Sequence, residues 1–301
     1  MTLVVGVDAG ASHTEALLAA DLTPVARRRG GPGALTPAGL DQAARTIIDL
    51  VTGLVRHAGG GRPVDAMVVG AAGAGTEASR ARLEAALLAA RVASRVQVTT
   101  DAHLTLQSAF GEEPGIVLAA GTGSIGLARD PRGVLRRAGG HGWRCGDEGS
   151  GYALGRAGIA AVGKAADRRG PPTALSERLP RASGTADATA LLAWAREADV
   201  AVIAGLATAV LEASEAGDAT AASLVAAAAG DLAMHVHALL AYFPPGHGAS
   251  VAFSGSLLDQ TSAMRRAVLA ALEPDAGRIL VTTAMVDPAA GAVALAAQLA
   301  A

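Results

Sequence analysis

Two glycine-rich turns carry the residues of this chain that are best suited to chemistry. Residues 6–14 read Gly-Val-Asp-Ala-Gly-Ala-Ser-His-Thr and residues 121–124 read Gly-Thr-Gly-Ser, and each turn follows an apolar run typical of a strand. Glycine lets backbone N–H groups approach an anion closely, and a neighbouring hydroxyl adds a donor. Each turn therefore predicts a phosphate site, with a plain hairpin turn as the structural alternative. The candidate phosphate contacts are Gly10, Ala11, Ser12, His13, Thr14, Gly121, Thr122, Gly123 and Ser124.

Acidic residues stand beside these turns or at the ends of other strand patterns. Asp8 ends the first apolar run, where a carboxylate can orient Mg²⁺ through its bound waters. Asp101 follows a strand pattern at its carboxyl end, the edge of an open α/β sheet at which ligands bind. The structural alternatives are a self-stabilised turn for Asp8 and a helix N-cap for Asp101. Residues 146–149 (Gly-Asp-Glu-Gly) predict a third loop, since glycine inside a helix costs about 1 kcal/mol; the alternative is an acidic cap for a helix from Ser150.

The elements that must position these residues follow one plan twice. Strand patterns at 3–7, 14–19 and 25–29 predict an antiparallel meander, and a helix at 37–57 precedes a strand, helix, strand series over 64–99. The plan begins again with strands at 116–120, 124–128 and 134–137, then helices, strands at 250–253 and 278–281, and a last helix from Pro288. Strands separated by helices imply parallel crossovers. We therefore expect an α/β fold of two domains, 1–112 with 288–301 and 113–287, the second carrying a helical insertion near 170–199.

Composition narrows the possible classes of protein. The net charge is −2 and no run of Lys or Arg is longer than Arg27-Arg28-Arg29, which argues against nucleic-acid and membrane-surface partners. Apolar segments such as 200–211 meet a charge before the roughly 18 residues that a membrane span needs, and the N-terminus has no signal-peptide pattern. Cys145 is the one cysteine, so an intrachain disulfide and a thiolate cluster are excluded. We expect a cytoplasmic protein, and a homodimer is left open.

These motifs together resemble the BadF/BadG/BcrA/BcrD ATPase family, which includes N-acetylglucosamine kinase and lies within the actin, sugar kinase and Hsp70 superfamily. The matching segments follow the family's order along the chain: 5–14, 99–101, 121–124, 139–152, 251–256 and 287–292. The resemblance implies two ribonuclease H-like (actin-like ATPase) domains with a nucleotide and substrate cleft between them.

The resemblance also implies an activity and roles for individual residues. The expected reaction is ATP-dependent phosphorylation of an amino sugar, N-acetylglucosamine or glucosamine, at the 6-hydroxyl, with Asp101 as the base and Asp8 as the Mg²⁺ ligand. Gly255 and Ser256 would contact the adenosine side of ATP. The sugar would contact Thr122, Gly140, Asp147 and Trp143, although Trp143 is equally well explained as a core residue.

Some positions depart from the family pattern. Ile125 and Ala34 stand where many N-acetylglucosamine kinases have asparagine, and His13 stands where many relatives have lysine. The preferred sugar is therefore left open. His103 and His141 lie close to motifs but receive no role, and packing explains His235 and His237 better than metal binding, because residues two apart on a helix face different directions.

Two other functions occur in the same superfamily. The activator ATPase of radical dehydratases shares an iron–sulfur cluster between two subunits, which needs two cysteines from each, and this chain has one. A nucleotide-binding sensor or ATPase without phosphotransfer does not require a base at the position of Asp101. The sequence therefore favours the interpretation as a kinase.

Overall fold

The computed structural model describes residues 1–11, 13–36, 39–58, 60–282 and 286–301. Up to residue 113, the elements are β1 (Leu3–Ala9), β2 (Thr14–Ala20), β3 (Thr23–Gly30), α1 (Leu40–Ala58), β4 (Val64–Ala71), α2 (Glu77–Ala89), β5 (Ala93–Thr99) and α3 (Asp101–Phe110). The elements that follow are β6 (Gly115–Ala120), β7 (Ser124–Arg129), β8 (Leu135–Gly139), α4 (Gly151–Ala166), α5 (Leu175–Ser183), α6 (Ala188–Trp194), α7 (Val200–Gly205), α8 (Ala207–Glu215), α9 (Ala219–Leu240), β9 (Ala249–Ser254), α10 (Ala263–Leu272), β10 (Ile279–Val281) and α11 (Pro288–Ala300).

The chain divides into two compact units. One comprises Met1–Glu113 with Thr283–Ala301, and the other comprises Pro114–Thr282. The sequence placed these boundaries at 1–112 with 288–301 and at 113–287. The C-terminal helix α11 thus belongs to the first unit, although all of the second unit lies between them in the sequence.

The first unit is a five-stranded mixed sheet with helices on both faces. Its strand order is β3-β2-β1-β4-β5, with β1, β2 and β3 antiparallel and β1, β4 and β5 parallel. Side chains alternate across β1: Val5 and Val7 belong to the core that α1 contributes to, whereas Val4 belongs to the core formed with α11. Helix α11 approaches β1 so closely that a side chain at Gly6 would overlap the backbone of Ala289.

The second unit repeats this sheet. Its strand order is β10-β9-β6-β7-β8, with β6, β7 and β8 antiparallel and β6, β9 and β10 parallel. The middle strand is again the first in sequence, as in the first unit. The α/β fold class, the two meanders and the parallel crossovers predicted from the sequence are therefore confirmed. The segment that was expected to be a helical insertion holds α5 and α6.

Helix α9 is long and apolar enough, at 22 residues, to cross a membrane by length and composition. Its sequence carries no charge except Asp231. Half of the apolar window is buried within the protein, and side chains such as Val225, Leu232 and Leu239 belong to the core of the second unit. The packing of α9 is therefore that of a core helix.

Candidate active site

Asp8 lies at the carboxyl end of β1, where its cross-strand partner on β2 is Glu15. Burial, and after it the neighbouring charges of Asp101, Glu15 and Asp287, together raise the pKa of Asp8 to about 7. Each charged group that shifts this pKa is thus another acid. Asp8 and Asp101 lie at the carboxyl ends of the parallel strands β1 and β5, which flank β4, and the charge of Asp101 is near enough to raise the pKa of Asp8.

Asp101 is the first residue of α3, directly after β5. The N-cap is Thr100, whose side chain accepts the N–H of His103 at 3.2 Å, so the capping role considered for Asp101 belongs to its neighbour. Oδ1 of Asp101 accepts the N–H of Ala102 at 2.9 Å. Burial raises the pKa of Asp101, and this hydrogen bond acts in the opposite direction. A carboxylate with a raised pKa is a better proton acceptor.

Arg27 links two of the acids near Asp8. Its guanidinium on β3 donates to Glu15 at 2.8 Å and also to Asp287. Asp287 is the N-cap of α11, and its own N–H donates to the hydroxyl of Ser108 at 2.8 Å. Arg27 therefore compensates Glu15 and Asp287, while Asp8 and Asp101 receive no ion pair in the described part of the chain.

The first glycine turn closes the hairpin between β1 and β2. The N–H of Gly10 donates to the carbonyl of His13 at 2.9 Å, and the carbonyl of Gly10 accepts the N–H groups of Gly33 and Ala34 at 3.1 and 3.2 Å. Ala11 is exposed and His13 is half-buried. Ser12 lies outside the described residues.

Thr14 differs from the other predicted contacts of this turn because its side chain is fully buried. Its hydroxyl has no hydrogen-bond partner among the described residues, and Gly33 packs against it so closely that a side chain at Gly33 would overlap it. The loop of Ala34 therefore lies beside the first glycine turn.

The second glycine turn closes the equivalent hairpin, between β6 and β7. The N–H of Gly121 donates to the carbonyl of Gly123 at 2.9 Å. The carbonyls of Gly121 and Thr122 in turn accept the N–H groups of Gly151 and Tyr152, at 2.8 and 3.2 Å. Two N–H groups at the start of α4 are thus satisfied by this turn, which fixes the helix against it.

Asp147 packs its carboxylate on the second turn. The N–H of Ser124 donates to Oδ1 of Asp147 at 3.4 Å, and the Ser124 hydroxyl donates to the carbonyl of Glu148 at 2.6 Å. A methyl group at Gly123 would lie 2.9 Å from the Asp147 carboxylate. Burial raises the pKa of Asp147, partly offset by the hydrogen bond from Ser124. Asp147 also has a φ of 59°, in the left-handed region that is uncommon for residues other than glycine.

The remaining predicted sugar contacts lie on the same loop. Gly140 has a φ of 69°, and the Ile125 side chain covers it, since a methyl group there would lie 2.7 Å from Cδ1 of Ile125. Trp143 is 43% exposed, which argues against the alternative of a core residue. Its ring packs edge-on against Tyr152 with the centroids 5.5 Å apart, and the Arg144 guanidinium lies over the Trp143 ring, 4.8 Å from its centroid.

Gly255 and Ser256 follow β9 and are exposed. Gly255 has a φ of 87° and lies against the backbone of Ala120, so that a side chain there would overlap the Ala120 carbonyl. Because β6 and β9 are neighbouring parallel strands, this turn stands beside the one at Gly121. The second unit thus brings the Gly121 turn, the Gly255 turn and Asp147 into one region.

Sequence reasoning missed Glu15, Arg27 and Asp287. The register of the β1–β2 hairpin could have identified Glu15, because it places that residue opposite Asp8. The pairing of Arg27 with Asp287, 260 residues apart, had no local signal. His103 bonds the Thr99 hydroxyl through Nδ1 at 2.9 Å and thereby joins the end of β5 to α3.

The two units share one architecture, in which a glycine turn joins the first two strands of a five-stranded sheet whose middle strand is the first in sequence. This repeated sheet defines the class as α/β proteins of the actin-like ATPase fold, to which the sugar kinases belong. The chain is a member of the BadF/BadG/BcrA/BcrD ATPase family, whose sequence model matches residues 5–296.

Relatives of this chain include proteins with assigned activities. The N-acetylmuramic acid/N-acetylglucosamine kinase of Clostridium acetobutylicum is 30% identical over 177 residues, which are 58% of this chain and 58% of that protein. The chain therefore spans less than two thirds of that relative. A crystal structure of a protein assigned as an N-acetylglucosamine kinase from Chromobacterium violaceum has a TM-score of 0.80 and 29% identity, covering 98% of this chain and 99% of that one.

A more distant similarity concerns the fold alone. A ROK family glucokinase from Streptomyces griseus, crystallised with glucose and AMPPNP, has a TM-score of 0.61 at 17% identity and covers 98% of this chain and 99% of that chain.

Proposed function

We propose that this protein is an ATP-dependent carbohydrate kinase that phosphorylates an amino sugar, N-acetylglucosamine or glucosamine, at the 6-hydroxyl. The observation that carries the proposal is the pair of acids in the first unit: Asp101 after β5, with a raised pKa, and Asp8 at the end of β1. Phosphoryl transfer to an alcohol requires a base near the acceptor hydroxyl and a cation near the phosphates, and these two carboxylates supply one role each.

Asp101 is the base in this proposal. Its carboxylate accepts the proton of the sugar hydroxyl as the new phosphorus–oxygen bond forms and the bond between the γ-phosphorus and the leaving ADP oxygen breaks. The hydrogen bond from the N–H of Ala102 to Oδ1 orients the carboxylate and leaves Oδ2 for the acceptor hydroxyl. Such a base contributes about 10²- to 10⁴-fold in rate.

The acids near Asp8 fit a bound Mg²⁺. Among the described residues, no group of three or more His, Cys, Asp or Glu side chains is arranged to hold a metal ion directly. Magnesium requires only one or two carboxylates because it keeps most of its waters, and Asp8, surrounded by acids that raise its pKa, is a carboxylate that a cation would relieve. A bound Mg²⁺ would neutralise charge on the phosphates. Asp8 is the residue that would hold its water shell.

The glycine turns supply donors to the phosphates of ATP. The exposed residue Ala11 and the half-buried residues Gly121 to Gly123 are accessible to a ligand, whereas the Thr14 side chain is buried and the Ser124 hydroxyl donates to the carbonyl of Glu148. Backbone groups rather than these two hydroxyls therefore make the phosphate contacts that we propose. Gly255 and Ser256 are exposed beside the Gly121 turn and are proposed to contact the nucleoside.

The amino sugar is proposed from the activities named for the relatives and from the loop of Asp147. The Asp147 carboxylate accepts hydrogen bonds from the hydroxyl groups of the sugar. The exposed Trp143 forms one wall of the sugar pocket. Ile125 covers Gly140, so the backbone of Gly140 is approached on one side by an apolar side chain rather than by an amide. A sugar whose acetamido group needs an amide partner at this position would bind less tightly than one that packs against Ile125.

The test is ADP release by the purified protein with ATP and Mg²⁺, measured against N-acetylglucosamine, glucosamine, N-acetylmuramic acid, glucose and no sugar. We expect an amino sugar to stimulate ADP release, with the 6-phosphate identified in the product by ³¹P NMR. Release of ADP that no sugar stimulates would contradict the proposal and support an ATPase or nucleotide sensor.

The role of Asp101 is tested by Asp101→Asn, which should lower kcat by about 10²- to 10⁴-fold and leave the affinity for an ATP analogue unchanged. Asp49→Asn is the matched control, since Asp49 is an exposed carboxylate on α1. Turnover retained in Asp101→Asn would refute the assignment of the base.

A further inference from the structure

One face of α9 contacts both ends of the loop that carries Asp147. We call residues 139–149 the Asp147 loop; it joins β8 to the residue before α4. At its start, a methyl group on Gly139 would lie 2.6 Å from Cε1 and 2.7 Å from Nε2 of His235. At its end, a side chain on Gly149 would overlap Leu232 and the carbonyl of Ala228. Leu232 and His235 are three residues apart and therefore neighbours on the helix surface.

His235 is the polar member of this contact. It is 8% exposed, and its Nε2 has no hydrogen-bond partner among the described residues. Its Cβ would lie 3.1 Å from a methyl group on Gly126 of β7, so two glycines, Gly126 and Gly139, leave room for this side chain against the sheet. A buried imidazole nitrogen without a hydrogen bond lowers the stability of the fold, so an apolar side chain would be expected here if the contact served packing alone.

The charged groups around His235 come mainly from the loop. Glu148, Asp147 and His141 face it from the Asp147 loop, and Asp231 faces it from α9 itself. On β8, Arg137 contacts Nδ1 of His141 at 3.4 Å. Burial lowers the pKa of His235, and the three carboxylates act against this effect. The ring is therefore neutral at pH 7, and it takes up a proton below its ordinary value near 6.5.

We propose that His235 is a positioning residue for Asp147: its neutral ring supports the Gly139 end of the loop, and its protonated form draws the Asp147 carboxylate away from the Ser124 N–H. In the neutral state, the Asp147 carboxylate accepts the Ser124 N–H, and the main-chain carbonyl of Glu148 accepts the Ser124 hydroxyl. A buried imidazolium offers Glu148 and Asp147 a competing, charged partner. The part of this inference that concerns sugar binding rests on the proposed function, whereas the part that concerns loop order does not.

Loop order is tested without any sugar through Cys145, which is the only cysteine of the chain and is exposed within the Asp147 loop. The rate of its reaction with 4,4′-dithiodipyridine is divided by the rate for the urea-unfolded protein at the same pH, which removes the effect of thiol ionisation. Between pH 7.5 and pH 5.0, this ratio should change by about threefold or more in the wild type and stay constant in His235→Gln. His237→Gln is the control, because His237 contacts Asp275 at 2.9 Å instead of the loop.

A ratio that does not change with pH in the wild type, or that changes equally in His235→Gln, would overturn the proposal. The wild-type measurement decides the matter even if His235→Gln is unfolded by circular dichroism.

Kinetics then separate this inference from the proposed function. In the wild type, the KM for the sugar should rise several-fold as the pH falls to 5.0 while the KM for ATP stays constant, and His235→Gln should flatten the sugar profile. A pH-dependent Cys145 ratio without sugar turnover would contradict the proposed kinase activity and support the role of His235 in loop order. Sugar turnover with a pH-independent ratio would support the kinase activity and contradict the role of His235.

Discussion

Ser124 holds Asp147 and its neighbour Glu148 with two different groups: its N–H donates to Oδ1 of Asp147 at 3.4 Å, and its hydroxyl donates to the carbonyl of Glu148 at 2.6 Å. A residue of the second glycine turn thereby fixes the loop that we propose to bind sugar. The serine hydroxyl has a structural role in the loop, which its motif alone did not indicate.

Removing that hydroxyl should loosen the loop without disturbing the turn. We expect Ser124→Ala to lower the free energy of unfolding by about 1 kcal/mol and to raise the KM for the sugar about fivefold, with little change in the KM for ATP. Ser183→Ala is the control, because its hydroxyl also donates to a carbonyl, that of Leu179 at 2.9 Å, but on α5. Equal effects of both variants on the sugar KM would contradict the special role of Ser124.

Asp8 should destabilise the metal-free protein at neutral pH. Its pKa rises from 3.8 to about 7 on folding, so the folded state disfavours the charged form, and this cost grows between pH 4 and pH 7 and is complete above pH 7. In EDTA at pH 8, Asp8→Asn should therefore have a free energy of unfolding in urea that is higher than that of the wild type by up to about 4 kcal/mol. Most of this difference should be lost by pH 4. Addition of Mg²⁺ should stabilise the wild type only. An Asp8→Asn variant that is less stable than the wild type at pH 8 would contradict this account.

Asp218 caps two helices at once. Its carboxylate accepts the N–H of Ala221 in α9 at 2.8 Å, and it also accepts the N–H of Ala174 and the hydroxyl of Thr173 just before α5. We expect Asp218→Ala to cost about 1–3 kcal/mol in urea unfolding at pH 7. The matched control is Asp199→Ala, because Asp199 precedes α7 in the same position without a capping bond from its side chain.

The effect of Asp218 should depend on pH. The hydrogen bonds lower the pKa of Asp218, so its stabilising contribution is present above the unfolded-state value near 4 and is lost as the pH falls through the lower folded value. The difference between the wild type and Asp218→Ala should therefore shrink below pH 4. A difference that stays constant down to pH 2 would contradict the role of the ionised carboxylate.

Gly6 allows α11 to close on β1. A side chain there would overlap the Ala289 carbonyl, so Gly6→Ala should destabilise the protein by about 1–3 kcal/mol. Gly31→Ala is the control, because no atom lies within 4 Å of a methyl group at that position, and its effect should be within about 0.5 kcal/mol. Equal urea midpoints for the two variants would show that α11 adjusts at no cost.

Much of the fold could be predicted because its signals are local. Apolar runs on either side of the two glycine turns predicted β1, β2, β6 and β7, and the 3.6-residue apolar spacing predicted α1, since backbone hydrogen bonds and side-chain alternation act between near neighbours in the chain. The position of Asp101 after a parallel strand likewise followed from a strand, helix, strand pattern. Helix α9 was less well interpreted, because its alanine-rich sequence has a weak pattern and its burial depends on the helices around it.

Residue types and their order along the chain were enough to establish the repeated α/β plan, the two glycine turns and the carboxylates Asp8, Asp101 and Asp147. The partners of those carboxylates were decided by packing between segments far apart in sequence. Arg27 meets Asp287 because α11 folds back on the first sheet, and His235 meets the Asp147 loop because α9 lies beneath β7 and β8. Such contacts depend on the distances between folded elements, and no local spacing in the chain encodes those distances.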